Sequence, residues 1–434
     1  MRILLLVTLI AAALAACQRD AAPAAGSDVG VAQTATSVPA TSFAASDWPL
    51  PTPDGAAQSD LIVAPDGRLL LSWIEPSGDD HALKFASFDS AWSAPAGIGS
   101  GSDWFVNWAD TPHLAATADG ALWAHWLQKS AAATYAYDVA LVRSADAGAT
   151  WSQPVLVNDD GTPTEHGFVA LWPAARDGVG VAWLDGRQMA DEDAGTAHGG
   201  HAPAAGAGQP AAMMTLRSAR FNARLQRGGE TVLDSSTCDC CQTDAALTSG
   251  GPLLVYRDRT SAEIRDIYAI RGDGAKWTTP ARIHADDWTM PACPVNGPSV
   301  AARGNEVIVG WYTGAGAMPT LKLARSSDAG DSFAAPLVID QGEVVQGRID
   351  VALDADHAWA LWVREDAAGQ SLQLARFTPD LARELQRIEV AKLHGRGRAT
   401  GFPQLALRNG DAYLVWTDVQ GGKPSLRGMR VVAQ

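Results

Sequence analysis

A short apolar run that ends in an aromatic residue recurs along most of the chain. The aromatic is followed two positions later by a mostly polar residue, and clusters of Gly, Asp, Asn and Pro separate the runs. The copies are Leu69–Glu75, Leu122–Gln128, Val179–Asp185, Leu253–Asp258, Val307–Thr313, Trp359–Arg364 and Tyr413–Asp418. Because no 3.6-residue periodicity is sustained from Asp60 onward, the pattern predicts an all-β chain.

The spacing of these aromatics predicts a repeat architecture. Trp73, Trp126, Trp183, Tyr256, Trp311, Trp362 and Trp416 are 53, 57, 73, 55, 51 and 54 residues apart. This period is typical of four-stranded propeller blades, so we predict one closed β-propeller of seven blades, or six if a terminal unit is incomplete. The last unit is one strand short, and the segment Phe43–Pro51 is expected to supply that strand and remove an open edge.

The N-terminal segment predicts export. Met1 and Arg2 precede an apolar run, Ile3–Ala16, that is too short to span a bilayer. Leu14-Ala15-Ala16-Cys17 resembles a bacterial lipobox, which implies a signal peptide over 1–16 and a lipid on Cys17. An ordinary secretory signal is the alternative. The small and polar residues of 17–46 predict a disordered tether, and 47–434 the propeller, with the protein lipid-anchored in the cell envelope at the outer membrane.

The charge of the chain excludes one class of partner. Asp and Glu number 48 against 33 Lys and Arg, a formal net charge of -15. Such a balance argues against a surface that neutralises a phosphate backbone, so no nucleic-acid partner is expected. The membrane, reached through the lipid anchor, and an envelope protein remain as expected partners, together with a small molecule, metal or glycan.

Two eight-residue segments carry a family resemblance. Ser144–Trp151 and Ser326–Phe333 match the pattern S-x-D-x-G-x-[TS]-aromatic. They resemble the Asp-box of BNR repeats, and the chain after residue 47 therefore resembles sialidase-like β-propellers. In the motif, the Asp carboxylate and Ser hydroxyl can bond turn amides while Gly takes a positive φ, so Asp146 and Asp328 are expected to be structural.

The resemblance does not bring a complete sialidase site. Sialidases hold the sugar carboxylate with three arginines and use a Tyr–Glu pair and an acid/base Asp. The stretch where the first arginine is expected reads Asp47–Pro51 and contains none. If the protein is a divergent sialidase-type glycoside hydrolase, its catalytic candidates are Arg257, Arg348, Asp110 and Asp350. Whether it is an enzyme stays open at this stage.

The cysteines form the most unusual constellation. Besides Cys17, the chain has only Cys238, Cys240, Cys241 and Cys293. Cys238 lies eighteen residues before Tyr256 and Cys293 eighteen before Trp311, so both are expected at equivalent places in adjacent blades, where the innermost strands begin. We call this end of the propeller the mouth. A disulfide, a thiolate site for copper or zinc, and a redox-active thiol pair are the alternatives.

Histidines supply further candidate metal ligands. The long 73-residue spacing holds an insertion with His198 and His201 on a Gly- and Ala-rich loop, and His166 is expected to face the same mouth. A solvated loop whose histidines bind nothing is the other interpretation. If the cysteines form only disulfides, no cofactor is expected.

Aromatic, amide and cationic residues at the mouth are candidate ligand contacts. They are Trp104, Asn107, Trp108, Asp110, Arg187, Arg257, Asn296 and Arg348. The first functional hypothesis is a non-hydrolytic binding protein with a soft-metal or redox thiol site. The others are the divergent hydrolase acting on acidic sugars and a protein-interaction platform with structural disulfides.

Overall fold

The computed structural model describes residues 43–190, 213–274 and 276–433. The predicted signal peptide, the lipidated Cys17, most of the tether, and His198 and His201 lie outside these residues. No helix in the described ranges is long and apolar enough to cross a membrane. The helices there are single 3-10 turns at Arg187–Met189, Ala315–Ala317 and Gly397–Thr400.

Almost all regular structure is β-strand, as the repeats predict. The strands are β1 Phe43–Asp47, β2 Ala57–Val63, β3 Leu69–Ser77, β4 Asp80–Phe88, β5 Ala96–Gly101, β6 Leu114–Ala116, β7 Leu122–Lys129, β8 Tyr137–Ser144, β9 Val155–Leu156, β10 His166–Ala174, β11 Gly178–Asp185, β12 Met214–Phe221, β13 Thr231–Thr237, β14 Asp244–Thr248, β15 Gly251–Arg257, β16 Ile267–Arg271, β17 Ala281–Arg282, β18 Ser299–Arg303, β19 Glu306–Thr313, β20 Thr320–Ser326, β21 Leu337–Gln341, β22 Val345–Leu353, β23 Ala358–Asp366, β24 Gly369–Phe377, β25 Glu384–Leu393, β26 Gln404–Arg408, β27 Asp411–Gln420 and β28 Lys423–Ala433.

These strands form seven four-stranded antiparallel sheets, which confirms the seven-bladed propeller. Blades 1 to 6 are successive groups of four strands from β2–β5 to β22–β25, and blade 7 combines β26, β27 and β28 with β1. In blade 7, Phe43 pairs with Ala433 and Asp47 with Met429. The segment before the first repeat therefore supplies the missing strand, and residues 43–46, assigned to the tether, belong to the ring.

The core lies between the blades. The first strand of each blade contacts the first strand of its neighbours and is therefore the innermost. A buried apolar cluster occupies each blade interface, such as the one that joins Phe85 of blade 1 to Trp126 of blade 2. Each sheet thus buries both faces, which explains why second strands such as β11 are buried along their whole length.

The structure gives the physical reason for the aromatic-x-polar pattern. The indole N–H of Trp73 donates to Glu75 at 2.7 Å, and that of Trp183 donates to Asp185 at 2.8 Å. Trp126 donates to Gln128 at 3.1 Å in the same way. A buried indole N–H needs an acceptor, and in these three blades the residue two positions later on the same face of the strand provides it. In blades 5 and 6, Trp311 and Trp362 donate instead to Asp286 and Asp340 of other segments.

The Asp-boxes close the turns between third and fourth strands. The Asp146 carboxylate accepts hydrogen bonds from the Thr150 amide at 2.8 Å and hydroxyl at 2.6 Å, and Ser144 accepts from the Gly148 amide at 2.7 Å. Asp328 makes the same bonds in blade 5. These hydrogen bonds lower the pKa of both carboxyls to about 2. Gly148 has φ +91°, and a Cβ there would lie 2.1 Å from the Phe85 ring.

Candidate functional site at the mouth of the propeller

The loops that lead into the innermost strands meet at the mouth. Gln242, ahead of β14, donates to the carbonyl of Ala109 at 2.8 Å and accepts from the Gly297 amide at 2.9 Å. One side chain therefore ties the loops before β6, β14 and β18 together. The cysteine segment and the Trp108 segment thus belong to one connected surface.

All four cysteines of the propeller lie in this region. Cys240 and Cys293 form a disulfide with Cα atoms 5.9 Å apart, which joins blade 4 to the loop before blade 5. Cys238 and Cys241 remain thiols, with sulfur atoms 3.1 Å apart. The Cys238 sulfur lies 3.9 Å from that of Cys240. Both thiols are buried, whereas Cys293 is exposed.

Two buried arginines face the thiol pair. Nη1 of Arg265 lies 3.2 Å from the Cys238 sulfur and also contacts Asp239. Burial opposes ionisation of Cys241, but the Cys238 hydrogen bond and the charges of Arg257 and Arg265 outweigh it and lower the pKa of Cys241 to about 7. Burial and the neighbouring Cys241 raise the pKa of Cys238 well above its ordinary value. Cys241 is therefore the sulfur of the pair that ionises first.

His166 is not part of the cysteine cluster, contrary to the sequence expectation. Its Nε2 lies 3.1 Å from Asp160 and 3.8 Å from Asp185, and its Nδ1 contacts the carbonyl oxygen of Tyr137 at 3.0 Å. Burial opposes its charge, but the carboxylates raise the pKa of the ring. Arg187 completes this group through Asp185 at 2.6 Å and Asp160 at 3.3 Å. Arg187 is thus engaged by carboxylates instead of being available to a ligand.

Asp110 and Asp350, the acid/base candidates of the hydrolase alternative, each link two blades. Asp110 accepts from the Phe168 amide at 2.8 Å, and Asp350 accepts from the Leu405 amide at 2.6 Å. Each bond joins neighbouring innermost segments, and both carboxylates are buried. Burial raises the pKa of each to about 7. Asp60 and Asp244 accept equivalent hydrogen bonds from the amides of Leu114 and Val300, so this carboxylate–amide link between neighbouring blades recurs around the ring.

Arg257 and Arg348 use their donors inside the protein. Arg257 donates to the carbonyls of Asn296, Arg265 and Tyr312 at 2.6–3.0 Å. Arg348 donates to Thr400, Gly401 and Gly397 at 2.9–3.1 Å. The exposed fractions of the two residues are only 2% and 5%. Neither guanidinium presents the open fork that a sugar carboxylate requires, which argues against the hydrolase alternative.

Asn296 holds two of these segments in register. Its carbonyl accepts from Arg257, and its Oδ1 accepts from the Arg348 amide at 2.8 Å. Its amide nitrogen donates to Gln346 at 3.3 Å. We therefore assign Asn296 a structural contact in the mouth instead of a ligand contact.

The two rim tryptophans have different roles. Trp104 is 6% exposed and stacks on Trp126 with ring centroids 5.0 Å apart, so it belongs to the core between blades 1 and 2. Trp108 is half-buried and lies 5.8 Å from the parallel ring of Phe402. Asn107 accepts from the Ala109 amide at 2.8 Å and fixes the loop that carries Trp108.

Trp108 lines a cleft between blades 1, 2 and 7. The walls of this narrow cleft include Gln58, Ser59, Trp108, Thr111, Phe402 and Gln404. In the described part of the chain, the Ser59 hydroxyl is buried and lacks a hydrogen-bond partner. The guanidinium carbon of Arg398 lies 5.8 Å from the Trp108 ring centroid, and that of Arg348 lies 5.1 Å away. Arg398 is exposed, and no ion pair engages it within the described ranges.

Sequence reasoning missed several of these contacts. Tyr137 donates to Glu165 at 2.6 Å and contacts Asp110 at 3.3 Å, a buried group that no motif marks. Arg265, Arg398 and Ser59 lie outside the repeat positions, so their convergence needs the folded ring. One signal was present: Cys238 and Cys241 are separated by two residues, the spacing of C-x-x-C redox motifs.

Comparisons with known proteins establish the fold. No family model and no curated protein matches the chain. The solved polysaccharide lyase Uly1 is 7% identical over 88% of this chain and 91% of its own, with a TM-score of 0.51. A protein of unknown function from Dyadobacter fermentans is 14% identical over 88% and 95%, with a TM-score of 0.49. NanB sialidase from Streptococcus pneumoniae is 12% identical over 89% and 70%, with a TM-score of 0.44.

At these identities the likeness concerns the fold alone. It confirms that the chain has the β-propeller fold expected from its Asp-boxes, and it assigns no activity to the residues of the mouth.

Proposed function

We propose that the protein is a non-hydrolytic binding protein that takes an acidic sugar at the mouth of the propeller. The observation that carries the proposal is the Trp108 cleft, where the Trp108 ring lies beside the exposed Arg398 and near the buried hydroxyl of Ser59. Among the described residues, that hydroxyl has no hydrogen-bond partner and Arg398 has no ion pair. A sugar ring offers C–H groups to an aromatic face and hydroxyls to polar walls, so it matches this combination.

The polar lining supports a hydroxylated ligand. Ser59 can exchange hydrogen bonds with a ligand hydroxyl, which would relieve the cost of burying its Oγ without a partner. The amides of Gln58 and Gln404 and the hydroxyl of Thr111 add donors and acceptors along the walls. An apolar ligand would leave all of these groups unsatisfied.

The cation supports an acidic ligand. Arg398 stacks near Trp108 and is free to pair with a carboxylate or sulfate that projects from the sugar. This local positive charge stands out on a chain whose formal net charge is -15. The absence of turnover is part of the proposal because Asp110 and Asp350 are committed to backbone amides.

The cellular setting of the proposal follows from the N-terminal sequence. A lipid on Cys17 would hold the propeller at the envelope, where acidic polysaccharides and envelope proteins are within reach. A binding function is compatible with this placement, and an envelope protein could share the same mouth.

The test is a binding titration of the 43–434 propeller with an oligogalacturonate and with a neutral oligosaccharide of equal length, followed by tryptophan fluorescence. We expect saturable binding of the acidic ligand, weakened at least tenfold in Trp108→Ala and several-fold in Arg398→Gln. Arg396→Gln is the matched control, because Arg396 is also exposed but pairs with Glu365.

Equal binding of the acidic and neutral oligosaccharides would remove the role of Arg398. No binding to any member of a glycan array, by protein whose circular dichroism spectrum is that of a β-fold, would refute the proposed function.

A further inference from the structure

The cysteine cluster supports an activity that is independent of sugar binding. We propose that Cys238 and Cys241 exchange with the Cys240–Cys293 disulfide, which makes the mouth a thiol–disulfide relay between a buried and an exposed sulfur pair. The disulfide alone would only join two blades, and that role requires no second thiol pair beside it. The sulfur distances and the burial of the four cysteines carry the proposal.

The sulfur atoms form a connected path. Cys241 lies 3.1 Å from Cys238, Cys238 lies 3.9 Å from Cys240, and Cys240 is bonded to Cys293. The sulfurs of Cys238, Cys240 and Cys241 lie within 4.8 Å of one another. Thiol–disulfide exchange needs an attacking sulfur close to a disulfide sulfur, and the Cys238 sulfur lies 3.9 Å from the disulfide sulfur of Cys240.

Burial gives the path a direction. Cys238 and Cys241 are 0% and 1% exposed, Cys240 is half-buried and Cys293 is exposed. A thiol from outside can therefore reach the disulfide at Cys293, whereas the inner pair is reached only through Cys240. The outer pair, Cys240 and Cys293, is therefore accessible to a partner, whereas the inner pair, Cys238 and Cys241, is not.

The charges around the inner pair favour a thiolate. Arg265 contacts the Cys238 sulfur at 3.2 Å, and Arg257 lies close enough to favour ionisation of Cys241. The thiolate is the reactive form of cysteine, and neighbouring guanidinium groups are a recognised means of stabilising it. Asp239 and Glu263, which pair with Arg265 at 3.2 and 3.0 Å, limit but do not remove this effect.

The inward transfer balances within the protein. Cys238 gives its proton to the Cys241 thiolate while its sulfur attacks Cys240, and the Cys240–Cys293 bond breaks with Cys293 leaving as a thiolate. Cys241 then attacks Cys238, the new Cys238–Cys240 bond breaks, and Cys240 leaves with the proton that Cys241 releases. One disulfide is reduced and one is formed, with no net gain of electrons.

Exchange with the surroundings uses a thiol pair of a partner protein or two low-molecular-weight thiols. The first external thiolate attacks Cys293, forms a mixed disulfide with it and releases Cys240. The second external thiolate attacks the external sulfur of that mixed disulfide and releases Cys293. The external pair leaves as a disulfide, and the protein gains two electrons and two protons. The predicted envelope location supplies such thiol and disulfide partners.

Disulfide mapping tests the relay directly. Trypsin separates Gly228–Arg257, which holds three of the cysteines, from Ile283–Arg303, which holds Cys293. The protein is equilibrated in glutathione buffers of graded potential, quenched in acid, alkylated, digested and analysed by mass spectrometry. We expect the cross-linked peptide pair and also a Cys238–Cys241 bond within the first peptide, with Cys293 alkylated.

Variants assign the steps. Cys241→Ser is expected to accumulate the Cys238–Cys240 bond, because the second attack is lost. Cys238→Ser is expected to leave only the Cys240–Cys293 bond, and Ser236→Ala, two residues earlier, is the control that leaves the exchange unchanged.

Two results would overturn the relay. One is wild-type protein that holds only the Cys240–Cys293 bond at every potential until it is fully reduced. The other is protein isolated with stoichiometric copper or zinc that the cysteine variants lose, because a metal would then occupy the inner sulfurs. Neither result bears on sugar binding at the Trp108 cleft.

Discussion

Nη1 of Arg265 lies 3.2 Å from the sulfur of Cys238, and both side chains are buried. The guanidinium therefore acts on the thiol pair at short range and low dielectric, where charges interact most strongly. A change at Arg265 is therefore expected to alter the ionisation of the thiols without removing the Cys240–Cys293 disulfide.

We predict that Arg265→Gln raises the pKa of the Cys238–Cys241 pair. Loss of the positive charge disfavours the thiolate, so the pKa of Cys241, which is about 7 in the wild type, should rise. The measurement is the ultraviolet absorbance of the thiolate as a function of pH, with the disulfide intact. Arg271→Gln is the control, since Arg271 pairs with Asp331, which makes no contact with the cysteine cluster. An unchanged titration in Arg265→Gln would contradict the electrostatic role.

The stability of the ring is expected to fall as the pH rises through neutrality. Burial raises the folded-state pKa of Asp350 to about 7 from 3.8, so the folded state favours the protonated acid. This contribution is fully present below pH 3.8 and is lost as the pH rises through about 7. Asp350→Asn keeps an acceptor for the Leu405 amide but does not titrate. In urea unfolding between about pH 5 and pH 8, the variant should show a smaller pH dependence than the wild type, and parallel curves would disprove the assignment.

Asp110→Ala is expected to destabilise the propeller by about 1–3 kcal/mol, because the buried Phe168 amide loses its acceptor. Chemical denaturation measures the change. Asp103→Ala is the control, since Asp103 is exposed on the same connecting segment. If both variants lose equal stability, the interblade bond is not the cause.

The glycine of the first Asp-box offers a test of packing. Gly148→Ala introduces a Cβ 2.1 Å from the Phe85 ring at φ +91°, whereas Gly161→Ala at φ +70° meets no atom within 4 Å. Both variants strain the backbone, but only the first adds a clash, so it should lose about 1–3 kcal/mol more. Thermal unfolding compares them, and equal melting temperatures would mean that Phe85 moves aside freely.

We expect no cleavage of a fluorogenic sialoside. The donors of Arg257 and Arg348 are engaged by the protein, and Asp110 and Asp350 hold backbone amides. The assay is run at several pH values with an active sialidase as the positive control. Turnover by the purified wild type that disappears in Arg348→Lys would restore the hydrolase hypothesis.

The repeats predicted the fold well because blade packing is a local, periodic requirement. Each blade buries an aromatic residue at the same place, and in three blades the residue two positions later accepts the indole N–H of Trp73, Trp126 or Trp183. The sequence also predicted the closing strand, because the last repeat is one strand short and a segment before the first repeat could supply it. These features depend on short-range spacing, which a single sequence records.

The mouth was harder to predict because its contacts join distant blades. Ser59 and Trp108 line one cleft and Arg398 lies beside Trp108, although the three come from different parts of the ring and no spacing relates them. His166 and the cysteines have similar offsets within their repeats, yet carboxylates surround the histidine. Equal offset fixes the height of a residue in the ring but not the direction of its side chain.

The closing strand also constrains how the protein is made. Phe43 must pair with Ala433, so blade 7 stays incomplete until nearly the last described residue has left the ribosome. Blades 1 to 6 can form before the chain is complete, but the face of blade 1 that packs against blade 7 then remains uncovered. Bringing such distant segments together is slow, and the exposed edges are prone to aggregation in the meantime.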